Sequence, residues 1–307
     1  MLRECVEALN LSDGDVYLDC TLGGAGHSVE MAQHIAPHGT LIGIDQDDMA
    51  LQAAGERLGK TRLERAPILL KGNFGDLDDL LVKARVPGVD GVLFDLGVSS
   101  PQFDIPERGF SYRVDAPLDM RMDPQAATPT AADILRTYPQ DELARILREY
   151  GDEKWAARIA RFVCDARRER PVETTLQLVE LVKRAIPAKA RRSGGHPAKR
   201  TFQALRVEVN HELDVLRQGL EAAIRWLNPG GRIAVMSYQS LEDKIVKDVF
   251  RSAEHPCTCP ADFPVCVCGK TPVLDVKTRK PIMASAQEIE ENPRAHSARL
   301  RVAEKRE

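Results

Sequence analysis

The first hundred residues alternate short runs of β-branched and aliphatic residues with segments of helical periodicity. The apolar runs at residues 16–20, 41–45, 68–70 and 89–94 are typical of strands, and helical patterns lie between them. Strands that alternate with helices in this way build βαβ units and a parallel sheet. We therefore predict an α/β fold of the open, Rossmann-like type. The helices between the strands should begin at Asp47 or Asp48 and at Asp76, since these acids are suitable N-caps.

The next convincing strand, residues 232–237, lies far downstream of the fourth and follows the breaker Asn228-Pro229-Gly230-Gly231. This separation is much longer than the dozen or so residues that a crossover needs. The intervening chain is helical in its periodicity at residues 130–137, 140–150, 154–168, 174–185 and 201–227. We predict a helical subdomain, residues 113–200, inserted into a core made of residues 1–112 and 201–307. Residues 298–302 should close the sheet as an edge strand.

The chain is not a polycation, because its formal net charge is −3. Any nucleic-acid site must therefore come from a local basic patch. The first residues contain no basic segment followed by an apolar core, and no stretch approaches the roughly 18 apolar residues of a membrane span. We expect a cytoplasmic protein in which Cys5, Cys20 and Cys164 are reduced and mostly buried.

A glycine-rich turn, residues 19–27 (DCTLGGAGH), joins the first strand to the first helix. Such turns let a ligand approach the backbone at a helix N-terminus, and Asp45 ends the second strand where an acid commonly binds ribose. NAD and S-adenosylmethionine would both suit these features. Aligning Gly24 and Gly26 with the dinucleotide fingerprint puts Val29 where a small residue is required. The spacing favours S-adenosylmethionine, and a purely structural turn remains the alternative.

Residues 95–123 form a loop-like run of glycine, serine, proline and acidic residues that starts where the fourth strand ends. In an open α/β sheet, ligands bind in the crevice beyond the carboxyl ends of the strands. We therefore expect chemistry in this run.

Several motifs resemble those of the bacterial 16S ribosomal RNA (cytosine-N4)-methyltransferase family. They occur in order and span almost the whole chain, which makes a chance match very improbable. The matching segments are residues 95–102 (DLGVSSPQ), 107–111 (ERGFS), 117–123 (PLDMRMD), 196–204 (HPAKRTFQA), 228–231 (NPGG), 240–243 (SLED) and 292–295 (NPRA).

The resemblance implies a class I methyltransferase sheet, S-adenosylmethionine as the cofactor and a helical insert that recognises the substrate. It also implies methylation of the exocyclic N4 of a decoding-centre cytidine, position 1402 of 16S rRNA. The expected partner is 16S rRNA, within the small ribosomal subunit. Carried over by motif, the cofactor contacts fall on Ala25, Gly26, His27, Asp45, Phe74, Asp95 and Gln102, with Asp19 as a neighbour.

Three departures from the family pattern affect these expectations. Gln239 stands where members most often have histidine, so a histidine at that position cannot take a proton. Ala25 replaces a frequent glycine. The match begins near Leu2, where members carry a few more apolar residues, so we expect an apolar lip of the site to be missing.

Positioning should dominate catalysis, since a sulfonium is already a good methyl donor. The exocyclic amine is a weak nucleophile, and hydrogen-bond acceptors on its N–H groups would help as positive charge develops. We predict that Asp95 and the segment through Ser99 supply these acceptors and are catalytic. The alternative role for Asp95 is that of a helix cap or turn acid.

The target base must leave its stack, and flipped bases are held by aromatic faces and edge hydrogen bonds. Phe110, Tyr112 and Tyr238 are the aromatic candidates, and the first two lie beside Arg108 and Arg113 in the sequence. Packing in the core is the equal alternative for Phe110.

Eight basic residues and no acidic one lie between residues 183 and 206. We predict that Arg191, Arg192, Lys199 and Arg200 contact RNA phosphates. A solvated surface loop is the alternative. The whole basic set is Lys183, Arg184, Lys189, Arg191, Arg192, Lys199, Arg200 and Arg206.

Cys257-x-Cys259 and Cys266-x-Cys268 place four thiols in one short segment. Four cysteines suffice for a structural zinc site, although the one-residue gaps are tighter than usual. Reduced thiols or a disulfide remain the alternatives.

A second class of function is a non-catalytic RNA-binding or ribosome-assembly factor built on a methyltransferase scaffold. The intact cofactor positions argue against it. The sequence leaves open whether the substrate is naked rRNA or the assembled subunit, and whether the protein is a monomer or a homodimer.

Overall fold

The computed structural model describes residues 1–191, 195–260 and 267–307. These residues form two compact units. The sheet unit comprises Met1–Gly97 and Leu213–Glu307, and the helical unit comprises Val98–Glu212.

The sheet unit is built on strands in the order β3-β2-β1-β4-β5-β8-β6, and β7 pairs with β8. The neighbours among β1 to β5 are parallel, whereas β8 is antiparallel to β5. This order confirms the predicted α/β fold. The strands are β1 Val16–Asp19, β2 Thr40–Asp45, β3 Ile68–Lys71, β4 Val89–Asp95, β5 Leu227–Ser237, β6 Leu274–Val276, β7 Ile282–Met283 and β8 Arg299–Lys305.

The helices follow in chain order through both units. They are α1 Leu2–Leu9, α2 Gly26–Ile35, α3 Asp48–Leu58, α4 Leu77–Lys83, α5 Ser100–Asp104, α6 Ala131–Thr137, α7 Gln140–Glu149, α8 Ala156–Glu169, α9 Thr175–Ala185, α10 Ala188–Arg191, α11 Lys199–Val209, α12 Glu212–Trp226, α13 Ser240–Glu254 and α14 Ala286–Glu291. Short 3₁₀ turns cover Phe74–Asp76, Pro106–Arg108 and Pro293–Ser297. Within the described ranges, no helix is long and apolar enough to cross a membrane.

Both faces of the central strands are buried, as the continuous apolar runs in the sequence require. Successive side chains of a strand point to opposite faces. In β4, Val92 and Phe94 accordingly join one apolar cluster while Leu93 joins the other. The sheet is thereby held between helices on both sides.

Three strands end in aspartate at the same edge of the sheet. In the parallel registers, Asp19 of β1 lies opposite Leu93 of β4, and β4 and β2 continue to Asp95 and Asp45. The carboxyl ends of β1, β2 and β4 therefore bring three carboxylates to one edge.

The helical unit has its own apolar core, formed mainly by α6, α7, α8, α9 and α11. Capping boxes at Thr130 and Thr174 fix the starts of α6 and α9. The predicted insert, residues 113–200, lies inside this unit. The unit extends further at both ends because Phe110 before the insert and Phe202 and Leu205 after it pack into the helical core.

The expected long helix at residues 201–227 is wrong. The chain makes two helices there, α11 and α12, separated at Asn210 and His211. His211 has a φ of 49°, a left-handed value that cannot continue a helix. The Asn210 amide donates to the carbonyl oxygen of Met120 at 2.9 Å, so it is engaged in a tertiary contact.

Residues 298–302 were expected at the sheet edge, but β8 lies between β5 and β6. The short strand β6, which was not foreseen, shields it. The breaker at 228–231 does not precede β5 but lies within it, at an irregularity in the register with β4. Gly230 accommodates this irregularity with a φ of 79°.

Of the predicted caps, Asp47 is the N-cap of α3 and accepts the backbone N–H of Met49 at 3.0 Å. Asp76 precedes α4 but makes no side-chain cap hydrogen bond in the structure as described. The chain enters α4 from a 3₁₀ turn, and Asn73 caps that turn by accepting from Gly75.

Candidate functional site

The glycine-rich turn after β1 is shaped by Asp19, whose side chain is only 2% exposed. Its carboxylate accepts the backbone N–H of Thr21 at 3.0 Å and the hydroxyl of Ser28 at 2.6 Å. The Tyr17 hydroxyl donates to the same carboxylate at 3.3 Å. The hydrogen bonds of Asp19 therefore fix the glycine-rich turn against α2.

Asp45, at the end of β2, holds the same turn from the other side. One carboxylate oxygen accepts the N–H of Gly23 at 2.8 Å, and the other accepts the N–H of Asp47 at 2.9 Å. Burial raises the pKa of Asp45, an effect that these two hydrogen bonds oppose. Each carboxylate oxygen can accept a second hydrogen bond, so Asp45 can also bind a ligand hydroxyl.

The turn leads directly into the N-terminus of α2. Ala25 is buried and adopts a left-handed conformation, with a φ of 57°. Gly26, the first residue of α2, is exposed, and apart from its chain neighbours and the backbone of its own helix no described atom lies within 4 Å of the place where its Cβ would be. This open space beside the N–H groups of a helix N-terminus is suited to a ligand carboxylate.

His27 carries a buried polar atom without a partner. Its Nδ1 lies 3.5 Å from Asp95 Oδ2, while its Nε2 is buried and has no hydrogen-bond partner among the described residues. Buried polar atoms are nearly always hydrogen bonded, so an exception of this kind indicates a ligand or water at the site.

Asp95 ends β4 at the centre of this group. Its backbone N–H donates to Thr21 Oγ1 at 2.7 Å, which joins the ends of β1 and β4. The Tyr238 hydroxyl donates to Asp95 Oδ1 at 2.9 Å. Desolvation raises the pKa of Asp95, although His27 and the Tyr238 hydrogen bond oppose the rise.

Cys5 of α1 lies close enough to Asp95 for the carboxylate to affect the pKa of its thiol. Burial, together with the negative charge of Asp95, raises the pKa of Cys5 to about 12. The thiol is therefore neutral near pH 7 and is not an activated nucleophile. Cys5, Cys20 and Cys164 are all buried, as predicted.

Tyr238 is partly buried, and its hydroxyl donates a hydrogen bond to Asp95. Burial and the neighbouring Asp95 raise the pKa of Tyr238, so the phenol stays protonated and remains a donor. The expectation that Tyr238 stacks on a base took no account of this hydrogen bond. This hydrogen bond suits Tyr238 to position Asp95, which is an alternative to the predicted contact with a base.

Replacing Tyr238 by phenylalanine should lower kcat by about 10–100-fold, since a hydrogen bond to a charged group contributes about 1.5–3 kcal/mol. Loss of the donor should also raise the pKa of Asp95, which moves the acid limb of the pH–rate profile upwards. The KM for RNA should stay unchanged. Full activity in Tyr238→Phe together with a raised RNA KM in Tyr238→Leu would instead support a stacking role.

Gln239, which replaces the expected histidine, is part of a capping box at the start of α13. Its side chain accepts the N–H of Glu242, and the Glu242 carboxylate accepts the N–H groups of Tyr238 and Gln239 at 2.9 and 3.0 Å. Glu242 is 3% exposed. The pattern Gln-x-x-Glu before a helix resembles the known capping-box signature and could have been recognised in the sequence.

Phe74, after β3, packs edge-on against Phe94 with ring centroids 5.4 Å apart. Gly219 of α12 makes room for it, because a Cβ there would lie 2.7 Å from the Phe74 ring. Next to it, the Asn73 amide donates to Gln46 Oε1 at 3.1 Å. Phe74 is partly buried, which leaves part of the ring available to a planar ligand.

In the helical unit, Gln102 is 6% exposed and its Oε1 accepts the backbone N–H of Ser99 at 2.9 Å. Gln102 therefore fixes the backbone of the segment that follows β4. This contact between Ser99 and Gln102 was not part of the sequence prediction, which gave Ser99 a catalytic role and Gln102 a cofactor contact.

The aromatic and basic residues predicted to face a flipped base have different surroundings. Phe110 is 4% exposed and packs in the helical core, which favours the alternative of core packing over contact with a base. The Arg108 guanidinium donates to the carbonyl oxygens of Arg121 and Met122, at 3.2 and 2.8 Å. Tyr112 is partly buried and stacks on His196, with ring centroids 4.4 Å apart.

The basic run contains both engaged and exposed side chains. Arg206 is held by Glu212 in a two-point ion pair at 2.7 and 2.8 Å and is not available to phosphates. Arg200 donates to the Asp152 carbonyl oxygen at 2.8 Å yet remains exposed. Arg191 and Lys199 are exposed as well, whereas Arg192 lies outside the described residues.

Three of the four clustered cysteines are described, and they converge. The sulfur atoms of Cys257, Cys259 and Cys268 all lie within 4.8 Å of one another. Cys266 lies outside the described residues.

Comparison with known proteins gives a consistent result. The model of the MraW methylase family matches residues 1–306. A curated relative from Symbiobacterium thermophilum, named ribosomal RNA small subunit methyltransferase H, is 53% identical over 99% of this chain and 95% of its own length. A relative of the same name from Brevibacillus brevis is 52% identical over 99% of this chain and 96% of its own. Among solved structures, an rRNA methylase from Streptococcus thermophilus aligns with 100% of this chain and 94% of its own at 11% identity, with a TM-score of 0.42.

Proposed function

Because the chain belongs to the MraW methylase family and is a methyltransferase, we propose that it methylates the exocyclic N4 of a cytidine in small-subunit ribosomal RNA, with S-adenosylmethionine as donor. The proposed cytidine is the decoding-centre position implied by the sequence motifs. The relatives from Symbiobacterium thermophilum and Brevibacillus brevis carry names that specify the small-subunit RNA, which supports this substrate.

The observation that carries the proposal is the group of residues at the carboxyl edge of the sheet. The turn at residues 19–27, Asp45, Phe74 and Asp95 lie where class I cofactors bind, and His27 Nε2 has no partner among the described residues. These residues fit S-adenosylmethionine. Asp45 would bind the ribose hydroxyls, the N-terminus of α2 the methionine carboxylate, and the exposed part of Phe74 the adenine ring.

The bound cofactor supplies a methyl group on a sulfonium, and the protein's task is to hold the amine in line with it. In our proposal the carboxylate of Asp95 accepts a hydrogen bond from the cytosine N4 amine. This interaction strengthens as positive charge develops on the nitrogen. Tyr238 and Thr21 hold Asp95 in place, from its side chain and its backbone respectively. Gln239 takes no proton in this scheme, because a carboxamide is not a base near neutral pH, and its side chain caps α13.

We assign the RNA phosphates to the exposed members of the basic run, including Arg191, Lys199 and Arg200. Two of these, Arg191 and Lys199, are exposed and form no ion pair with another residue in the described parts of the chain. Tyr112, stacked on His196, is the remaining aromatic candidate for contact with the RNA.

Reversing both charges, Arg191→Glu with Lys199→Glu, should weaken RNA binding about tenfold or more at moderate salt. Each lost phosphate contact should also flatten the slope of log K against log salt by about 0.7 for single-stranded RNA. The affinity for S-adenosylmethionine should not change. Filter binding over a salt series measures the first two effects, and isothermal titration measures the third.

Lys60→Glu, at an exposed turn position two residues after the end of α3, is the control and should leave RNA binding unchanged. RNA affinity and salt slope equal to those of the wild-type protein in the double variant would remove the basic run from the proposed RNA surface.

The proposed function is tested by incubating the protein with methyl-labelled S-adenosylmethionine and small ribosomal subunits from cells that lack this methylation. Label should enter 16S rRNA and not the large-subunit RNA. Naked 16S rRNA, tested in parallel, shows which form of the RNA is the substrate. A protein that binds the subunit tightly without transferring label would correspond to an assembly factor.

A further inference from the structure

Cys257, Cys259 and Cys268 bring three sulfur atoms together at the surface of the sheet unit, in the connection between α13 and β6. All three sulfurs lie within 4.8 Å of one another. In a tetrahedral zinc–thiolate site with bonds of about 2.3 Å, the sulfurs are about 3.8 Å apart. The distances between the three sulfurs are therefore close to those in a zinc–thiolate site, and small side-chain movements would bring the sulfurs to that separation.

The backbone around these sulfurs has two features of a thiolate site. The N–H of Val267 donates to Cys259 Sγ at 3.4 Å, and such hydrogen bonds stabilise negative charge on sulfur. Gly269, directly after Cys268, has a φ of 66°, and no described atom lies within 4 Å of where its Cβ would be. A φ of this sign favours glycine, and Gly269 follows a bend of the chain at Cys268.

The described parts of this connection contribute almost nothing to an apolar core. Val267 is 73% exposed, and Val273 is 37% exposed. Between His255 and Val273, the described residues are exposed or only partly buried and form neither helix nor strand. A segment that cannot bury apolar surface needs another source of order, and a structural metal is a common one.

We propose that Cys257, Cys259 and Cys268 supply three of the four ligands of a structural zinc ion, which orders the described parts of the connection between α13 and β6. Thiolates prefer soft or borderline divalent metals, and a cluster of sulfurs with no oxygen ligand among the described groups favours zinc over magnesium or calcium. On binding, the thiols release their protons to solvent and the sulfur lone pairs form the Zn–S bonds, with no change in oxidation state. The site is separate from the carboxyl edge of the sheet and takes no part in methyl transfer.

The first test is the metal content of full-length protein purified without chelators and then reconstituted with Zn²⁺ and desalted. We expect about one zinc per chain. Replacement by Co²⁺ should give thiolate-to-cobalt charge-transfer bands and the intense visible bands of a tetrahedral site. Zinc content below about a tenth of an equivalent after reconstitution would overturn the proposal.

The matched variants are Cys257→Ser with Cys259→Ser, and separately Cys268→Ser, set against Cys164→Ala in the helical core. The first two should lose zinc and the cobalt bands, and the control should retain both. Because the mutated cysteines are exposed or only partly buried, circular dichroism should show an intact fold. Zinc retained in both serine variants would contradict the assignment, as would a disulfide between these cysteines found by mass spectrometry of protein kept under reducing conditions.

Limited proteolysis gives a readout of the structural role that does not depend on activity. Cleavage between residues 255 and 273 should be faster in the serine variants, and in wild-type protein treated with a chelator. Equal cleavage rates with and without zinc would exclude an ordering role for the metal.

Discussion

Replacing Asp95 by asparagine is expected to lower kcat for methyl transfer by about 10²–10³-fold, the range seen when one preorganised electrostatic partner is removed. Asparagine has nearly the same shape, and its carbonyl oxygen can still accept from the Tyr238 hydroxyl. The variant therefore removes the negative charge and keeps the local packing. Single-turnover methylation with saturating cofactor and RNA measures the effect on the methyl-transfer step itself.

Asp95→Asn should also be more stable than the wild-type protein. A lower rate of methyl transfer in this variant would then not be caused by a loss of folded structure. Desolvation raises the pKa of Asp95 in the folded state. The ionised form of Asp95 therefore lowers the free energy of unfolding. This loss of stability is complete once the pH has risen through the folded pKa, and it is absent below the ordinary aspartate pKa of about 3.9. The difference in Tm between variant and wild type should be positive at about pH 8 and narrow towards about pH 4.5.

Asp79→Asn is the matched control for Asp95→Asn, because Asp79 is an exposed acid on α4. It should change neither kcat nor the pH dependence of Tm. Asp95→Asn with wild-type kcat and normal cofactor affinity would mean that Asp95 is only a turn acid.

Replacing Asp45 by alanine is expected to weaken S-adenosylmethionine binding by about 10–100-fold, since hydrogen bonds to a charged group contribute about 1.5–3 kcal/mol. The change removes the proposed acceptor for the ribose hydroxyls. It also frees the N–H groups of Gly23 and Asp47, which Asp45 holds. Both consequences act on the cofactor, and the rate at saturating cofactor should fall much less than the affinity.

Asp48→Ala provides the control, because Asp48 begins α3 three residues later and pairs with Lys71 in a half-exposed ion pair. Isothermal titration with S-adenosylmethionine and with S-adenosylhomocysteine measures the affinities. A Kd for Asp45→Ala within about twofold of the wild-type value would remove Asp45 from the cofactor site.

The architecture was predictable where local pattern and tertiary structure agree. The apolar runs that became β1, β2 and β4 are buried on both faces, and the edge strand β3 is partly buried, so the apolar pattern of these runs is kept on folding. The separate helical unit was foreseen from its periodicity, but its ends were not. Phe110 and Phe202 lie outside the expected insert yet pack in its core, which depends on distant contacts that local pattern does not report.

The candidate site was predictable in position more than in detail. The positions of Asp19, Asp45 and Asp95 follow from the rule that strand ends carry ligands. Their individual tasks depend on which neighbours donate to them. The Tyr238 hydroxyl reaches Asp95 across 143 positions of sequence, and the exposure of Phe110 depends on the packing of the helical unit. No local signal distinguishes a tyrosine that stacks on a base from one that orients a carboxylate.

The most direct test of the proposed function is the chemical identity and position of the transferred methyl group. Small ribosomal subunits are treated with the protein and labelled S-adenosylmethionine. The labelled fragment of 16S rRNA is then mapped, and its nucleosides are identified by mass spectrometry. We predict labelled N4-methylcytidine at one decoding-centre cytidine, and its near absence with Asp95→Asn. Label on cytosine C5, on a ribose 2′-hydroxyl or in another RNA would contradict the proposed function.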